Sequence, residues 1–175
     1  MSLIHFAKAE LSAAITRGVR QCVLIGSRPG EAFKSSPDQT LQVFSVDEEQ
    51  SSEALATALE KSNFDKRQAS LFVWLGDAGY RTIDAVLAGL AFIASLPKGS
   101  GVVFDYAAER TSLGSLTHTA LDALASRISV AGGVKYLIQP QAVAALLHGL
   151  GFHQILDLPP EESPASGAHL VSAVI

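Results

Sequence analysis

The hexapeptide Gly26-Ser27-Arg28-Pro29-Gly30-Glu31 closes the apolar run at 21–26. A glycine at the end of a strand lets the backbone approach a ligand that a Cβ would crowd. Asp47 ends the next apolar run, 21 residues after Gly26. An acid there accepts hydrogen bonds from both hydroxyls of a ribose, the logic of dinucleotide-binding folds. Glu48 is a weaker substitute. Each feature also has an ordinary reading. Pro-Gly is a common turn dipeptide, with Arg28 solvated beside it, and Asp47 suits a strand end or a helix N-cap.

Other chemistries find less support. His5, His118, His148, His153 and His169 form no metal-ligand spacing, so no metal is expected and each histidine reads as a packed or exposed structural residue. There is no G-x-S-x-G elbow and no G-x-x-x-x-G-K-[ST] loop. The single cysteine, Cys22, lies inside an apolar run and reads as a buried thiol. With 13 basic and 17 acidic residues the net charge is −4, and no long basic run suggests nucleic acid or an anionic membrane. The segment "AVLAGLAFIASLP" is too short to span a bilayer, and "MSLIHFAKAE" lacks a signal-peptide pattern, so a cytoplasmic protein is expected.

The elements that would position these residues follow from periodicity. Ile4, Ala7, Leu11 and Ile15 recur at helical spacing and stop near Gly18. Strands are expected over 21–26, 41–47, 70–76, 101–106, 153–158 and 168–175. Helices are expected over 51–62, 82–95 and from Pro140 to the two glycines, Gly149 and Gly151, that end it. Leu113, Leu116, Ala120, Leu124 and Ile128 predict one more helix, broken by the Ala-Gly-Gly at 131–133. At 175 residues with 48% hydrophobic residues, one α/β domain spanning 1–175 with a mostly parallel, fully covered sheet is the expected class. Ligands of such folds sit outside the carboxyl ends of the strands. That singles out Gly26 to Gly30, Asp47, Gly76 with Asp77, and Asp105 with Tyr106.

"RGVRQCVLIG", "VFSVD", "FDKRQASLFVWLGDAGY", "LPKGSGVVFDY" and "QAVAALLHGLGFHQILDLPPEE" occur in that order. Together they resemble the leucine carboxyl methyltransferase-like family of class I methyltransferases, from about Ala9 onward. The resemblance implies a Rossmann-like sheet whose last strand is antiparallel. The stretch between "VFSVD" and "FDKRQ" has room for one helix and no strand, so about six strands are expected, with one edge strand missing. The family's lid also looks absent or much reduced.

The same resemblance implies S-adenosylmethionine as methyl donor. The family loop resembles G-x-G-x-D-[ST]-R. Here Gly26 matches, its second glycine is replaced by Arg28 or displaced to Gly30, and Arg28 is a candidate partner for the cofactor carboxylate. Where the family resembles E-G after "FVW", this chain has Leu75-Gly76, and Asp77 either replaces the lost acid or caps the next segment. Tyr80 matches a family aromatic, and Asp105 and Tyr106 match "FDY". These three are substrate-side candidates or packing and strand-end residues. No catalytic residue is named, because a carboxylate acceptor is already ionised at neutral pH and needs no base.

The implied activity is O-methyl transfer to a small-molecule or carboxylate acceptor. The alternative is a non-catalytic methyltransferase fold acting as a binding or scaffold module. A nicotinamide-dependent oxidoreductase is a third idea, weakened by the incomplete G-x-G-x-x-G. With little lid to cover the cleft, a homodimer could cover it instead.

Overall fold

The computed structural model describes residues 2–26, 30–33, 40–46, 54–76, 83–108, 126–130, 133–162 and 168–175. In chain order they form α1 (Leu3–Thr16), β1 (Gln21–Ile25), α2 (Gly30–Phe33), β2 (Gln42–Val46), α3 (Ala54–Glu60), β3 (Ser70–Trp74), α4 (Ile83–Ala94), β4 (Gly101–Ala108), β5 (Ser126–Val130), β6 (Gly133–Ile138), α5 (Pro140–Leu150), β7 (Gln154–Leu158) and β8 (His169–Val174).

The main sheet runs β2-β1-β3-β4-β8-β7. The β2-β1-β3-β4 ladder is parallel, and β8 is antiparallel to both of its neighbours. This is the expected six-stranded Rossmann-like sheet of the class I methyltransferase fold. Among the described residues between β2 and β3 there is one helix and no strand, so β2 is the edge where the sequence reading placed the missing strand.

Alternation along the central strands separates two cores. Val23, Ile25, Phe72, Trp74, Phe104, Tyr106 and Val171 face Leu59 of α3, Leu90 and Ile93 of α4, and Val143 and Leu147 of α5. Cys22, Leu24, Leu71, Val73, Leu75, Val103 and Leu170 face Phe6, Ala7, Leu11 and Ala14 of α1 and Phe33 of α2. Buried on both faces, β1 and β3 read as continuous apolar runs. The helix ends obey local rules. Ser2 Oγ accepts from the His5 amide at 3.3 Å, Pro140 opens α5, and Gly151 at φ 101° ends it. Gly101 is fixed by contact instead: a Cβ there would lie 2.7 Å from the Ala173 carbonyl oxygen on β8.

Two features differ from the sequence reading. Ile128 lies in a strand, not in the helix expected over 113–128; the stretch 113–125 lies outside the described residues. β5 and β6 form an antiparallel hairpin with Val130 opposite Gly133, and β6 pairs in parallel with Ala107 and Ala108. In sequence the Ala-Gly-Gly is therefore a hairpin signal, where a helix break was expected. Its cue is a two-residue gap containing glycine between alternating apolar runs. The hairpin attaches beyond Phe104, the last β4 residue paired with β3, and so stands at the carboxyl edge of the sheet. In addition, Gly30, expected in a loop, opens the short helix α2.

Candidate functional site

The carboxyl edge gathers the tips of β1, β2, β3, β4 and β7 and the start of β8. The parallel register sets Ile25 beside Val46 and Trp74, and the Gly26 amide donates to the Val46 carbonyl at 3.0 Å. The ladder thus continues to the first residue beyond β1, and the tips of β1 and β2 are neighbours. Gly26 has φ 88° and Gly76, just past β3, has φ 86°. Both lie in the left-handed region where a Cβ is strained. Ser27, Arg28, Asp47, Glu48, Asp77 and Tyr80 lie outside the described residues.

Asp105 and Tyr106 are consecutive, yet the structure sends them to different partners. Asp105 accepts a hydrogen bond from the Gly76 amide and so ties the tip of β4 to the tip of β3. Tyr106 points to the opposite face, as alternation requires. Its side chain is buried, and its ring stacks on His169 with centroids 4.8 Å apart and planes 28° apart. The β4–β8 register makes Tyr106 and His169 a directly opposed pair.

Asp157 of β7 completes this cluster. The Tyr106 hydroxyl donates to Asp157 Oδ2 at 2.6 Å, and His169 Nδ1 lies 2.7 Å from Asp157 Oδ1. Tyr106 Oη is also 3.2 Å from His169 Nδ1. A carboxylate only accepts, so the short contact places a proton on Nδ1; Nε2 is the bare nitrogen of the ring tautomer that matches this contact. No described residue bonds Nε2. Burial of the ring raises the Tyr106 hydroxyl above its ordinary range, and donation to Asp157 and that residue's negative charge add to it. The side chains of His169 and Asp157 are 12% and 24% exposed. The sequence reading missed Asp157 and treated His169 as structural. Only the pairing of β4, β8 and β7 brings positions 106, 157 and 169 together.

Leu75, which stands where the resembled family carries an acid, is buried in the core against α1. Trp74 ends β3, and its buried indole N–H has no hydrogen-bond partner among the described residues. Cys22 is fully buried, and burial pushes its thiol up to about 12, so it is a neutral core residue. No group of three or more His, Cys, Asp or Glu among the described residues could hold a metal ion. No described helix is long and apolar enough to cross a membrane.

No family profile matches the chain, and no curated protein matches it in sequence. Solved structures share its fold. One is the 1,6-didemethyltoxoflavin-N1-methyltransferase of Burkholderia thailandensis with bound 1,6-didemethyltoxoflavin and S-adenosylhomocysteine. It is 17% identical, with 98% of this chain and 77% of that chain covered and a TM-score of 0.59. The glycopeptide N-methyltransferase MtfA complexed with sinefungin is 14% identical over 100% and 94% of the two chains, with a TM-score of 0.58. The N-terminal domain of EvdMO1 with S-adenosylhomocysteine bound is 13% identical over 99% and 81%, with a TM-score of 0.60. None of the three is named as a leucine carboxyl methyltransferase, and at these identities the likeness is one of fold.

Proposed function

We propose that this chain is an S-adenosylmethionine-dependent methyltransferase acting on a small-molecule acceptor. The observation that carries the reading is the Gly26 amide bonded to the Val46 carbonyl. It sets a glycine tip that excludes a Cβ directly beside the strand that Asp47 follows. The residues present fit an adenosyl sulfonium: two glycine tips leave bare backbone, and the Trp74 indole N–H is a buried donor lacking a partner among the described residues. Gly26, Ser27, Arg28 and Gly30 would hold the methionine part, with Arg28 pairing its carboxylate. Asp47, or Glu48, would accept from the ribose hydroxyls, and Gly76 and Asp77 would border the adenine. Tyr80, Asp105 and Tyr106 would line the acceptor side. The fold's recurrence in structures holding S-adenosylhomocysteine or sinefungin supports the same assignment.

When bound, the sulfonium supplies an already activated methyl group. The protein's own task is then to hold the acceptor in line and to exclude water. Calorimetry and thermal shift with S-adenosylmethionine, S-adenosylhomocysteine and a nicotinamide dinucleotide test the reading. A ligand at 100 times its Kd adds about 2.7 kcal/mol of stability, which is roughly 5–10 °C in Tm for a chain of this size. The sulfonium and its thioether product should both give such a shift and the dinucleotide none, with Arg28→Ala and Asp47→Ala each weakening it. Failure of both adenosyl ligands to bind would leave the non-catalytic scaffold as the better reading, and equal binding by both variants would displace the assigned contacts. The homodimer expected to cover the cleft belongs to the same proposal and is read on an exclusion column.

A further inference from the structure

Tyr106, Asp157 and His169 come from three different strands and meet at the carboxyl edge, and nothing in the proposed cofactor contacts requires them. We propose that His169 is the general base of this site, with Asp157 as its positioning residue, and that the methyl acceptor is therefore a neutral N–H or O–H group rather than a carboxylate. The inference rests on the methyl-transfer reading above and deepens it.

Three observations carry it. Asp157 Oδ1 at 2.7 Å holds the proton of the imidazole on Nδ1, which fixes Nε2 as the acceptor nitrogen. The 2.6 Å bond from Tyr106 occupies Asp157 Oδ2, and ring stacking fixes the plane of His169. Finally, topology sets the pair close to the proposed site: β4 pairs with both β8 and β3, and Gly76 lies just past the end of β3. A carboxylate acceptor would bring no proton to Nε2 and would meet the negative charge of Asp157. A neutral acceptor donates to Nε2 and becomes a better nucleophile as it does so.

The step balances. The acceptor heteroatom bonds to the methyl carbon as the carbon–sulfur bond of the sulfonium breaks. The sulfur keeps that electron pair as a neutral thioether, and the acceptor proton passes to His169 Nε2. The resulting imidazolium is paired with Asp157. Among the described residues, the groups that face it are Tyr106 from β4 and Asp157 from β7. Of the helices on this face, α5 presents Val143 and Leu147 to the core, its His148 is bonded to the Phe152 carbonyl before β7 begins, and Asp84 of α4 is exposed.

Nitrogen-15 spectra of the labelled chain, assigned with His169→Gln, read the tautomer directly. Wild type should show Nδ1 protonated and Nε2 bare, and Asp157→Asn should move the proton to Nε2. Diethyl pyrocarbonate, which acylates a bare imidazole nitrogen, should modify His169 at least tenfold more slowly in Asp157→Asn than in wild type. Phenol should shift the Nε2 resonance saturably, whereas benzoate of similar shape should not. Protonated Nε2 in wild type, modification unchanged by Asp157→Asn, a phenol without effect or a benzoate as effective as phenol would each overturn the proposal. S-Adenosylhomocysteine titrated into the same sample separates the two readings. Binding with the reversed tautomer removes the base and leaves methyl transfer standing. The expected tautomer without binding removes methyl transfer, and the acceptor class with it.

Discussion

Replacing Tyr106 by Phe removes one oxygen and leaves the ring to stack on His169. What is lost is the hydroxyl's bond to Asp157. A hydrogen bond to a charged group contributes about 1.5–3 kcal/mol. Asp157 keeps 24% of its side chain exposed, so water can take the vacated position at Oδ2. That places the loss at the lower end, about 1.5 kcal/mol, or roughly 3–6 °C in Tm for a chain of this length. The pH dependence carries the sharper test. The folded-state pKa of Tyr106 is raised, chiefly by burial and then by the bond to Asp157. A raised pKa gives stability that is fully present below the unfolded value, about 10 for tyrosine, and is lost as pH climbs toward the folded value. Above pH 10 wild type should therefore lose up to about 1.4 kcal/mol per pH unit through this group alone, and Tyr106→Phe should not. Urea unfolding from pH 7 to 11, followed by the fluorescence of the single tryptophan, Trp74, measures both. The gap between the two proteins should close above pH 10. A gap of constant size, or no gap at neutral pH, would refute the bond and the burial assigned to Tyr106.

Gly101→Ala should destabilise the fold by about 1–3 kcal/mol, because the new Cβ meets the Ala173 carbonyl, a backbone atom of the paired strand; urea midpoints read it. Leu147→Ala empties a fully buried position of α5 and should cost about 2–5 kcal/mol in the same assay. Gly26→Ala forces a side chain into φ 88° and should cost about 1–2 kcal/mol, with a weaker thermal shift from S-adenosylhomocysteine. Cys22, with its thiol pushed up to about 12, should resist iodoacetamide at pH 8 until denaturant is added; mass spectrometry counts the adduct.

Much of the scaffold was legible because its cues are local. Continuous apolar runs marked β1 and β3, and Pro140 and Gly151 marked the ends of α5, since each cue acts on its own residue. The hairpin β5–β6 was not, because Leu113, Leu116, Ala120, Leu124 and Ile128 keep helical spacing into Ser126–Val130. Apolar spacing alone cannot separate a strand from the end of a helix. Pairing with β6 decides it. Of the candidate site, the glycines Gly26 and Gly76 were legible as strand-tip residues, since a turn after a buried strand favours a residue that tolerates positive φ.

Asp157 and His169 were not legible, because their chemistry is a property of register. His169 lies 63 positions from Tyr106 and 12 from Asp157. In sequence it lies near the start of an apolar strand, and a lone histidine there predicts nothing. Antiparallel insertion of β8 between β4 and β7 sets it opposite Tyr106, and the same pleat sends Asp105 to the other face, toward the tip of β3. Neighbours that look like one motif, Asp105-Tyr106, thus serve two structures. Asp105 braces the Gly76 tip of β3, and Tyr106 braces the Asp157–His169 pair. A one-residue slip of β8 against β4 would exchange the faces of His169 and Leu170 and dissolve the cluster while leaving the sheet apolar. We expect register to be held by the close approach at Gly101, where a Cβ would meet the Ala173 carbonyl, at one end of β4 and by Tyr106 stacked on His169 at the other. If that is how the register is set, His169→Leu should leave β4–β8 paired, since Gly101 still fixes it. Amide exchange at Val103 and Val171 should then remain slow while the Tyr106 hydroxyl keeps its bond to Asp157. Fast exchange along β8 in that variant would mean that the stacked pair, and not the close approach at Gly101, holds the strand in place.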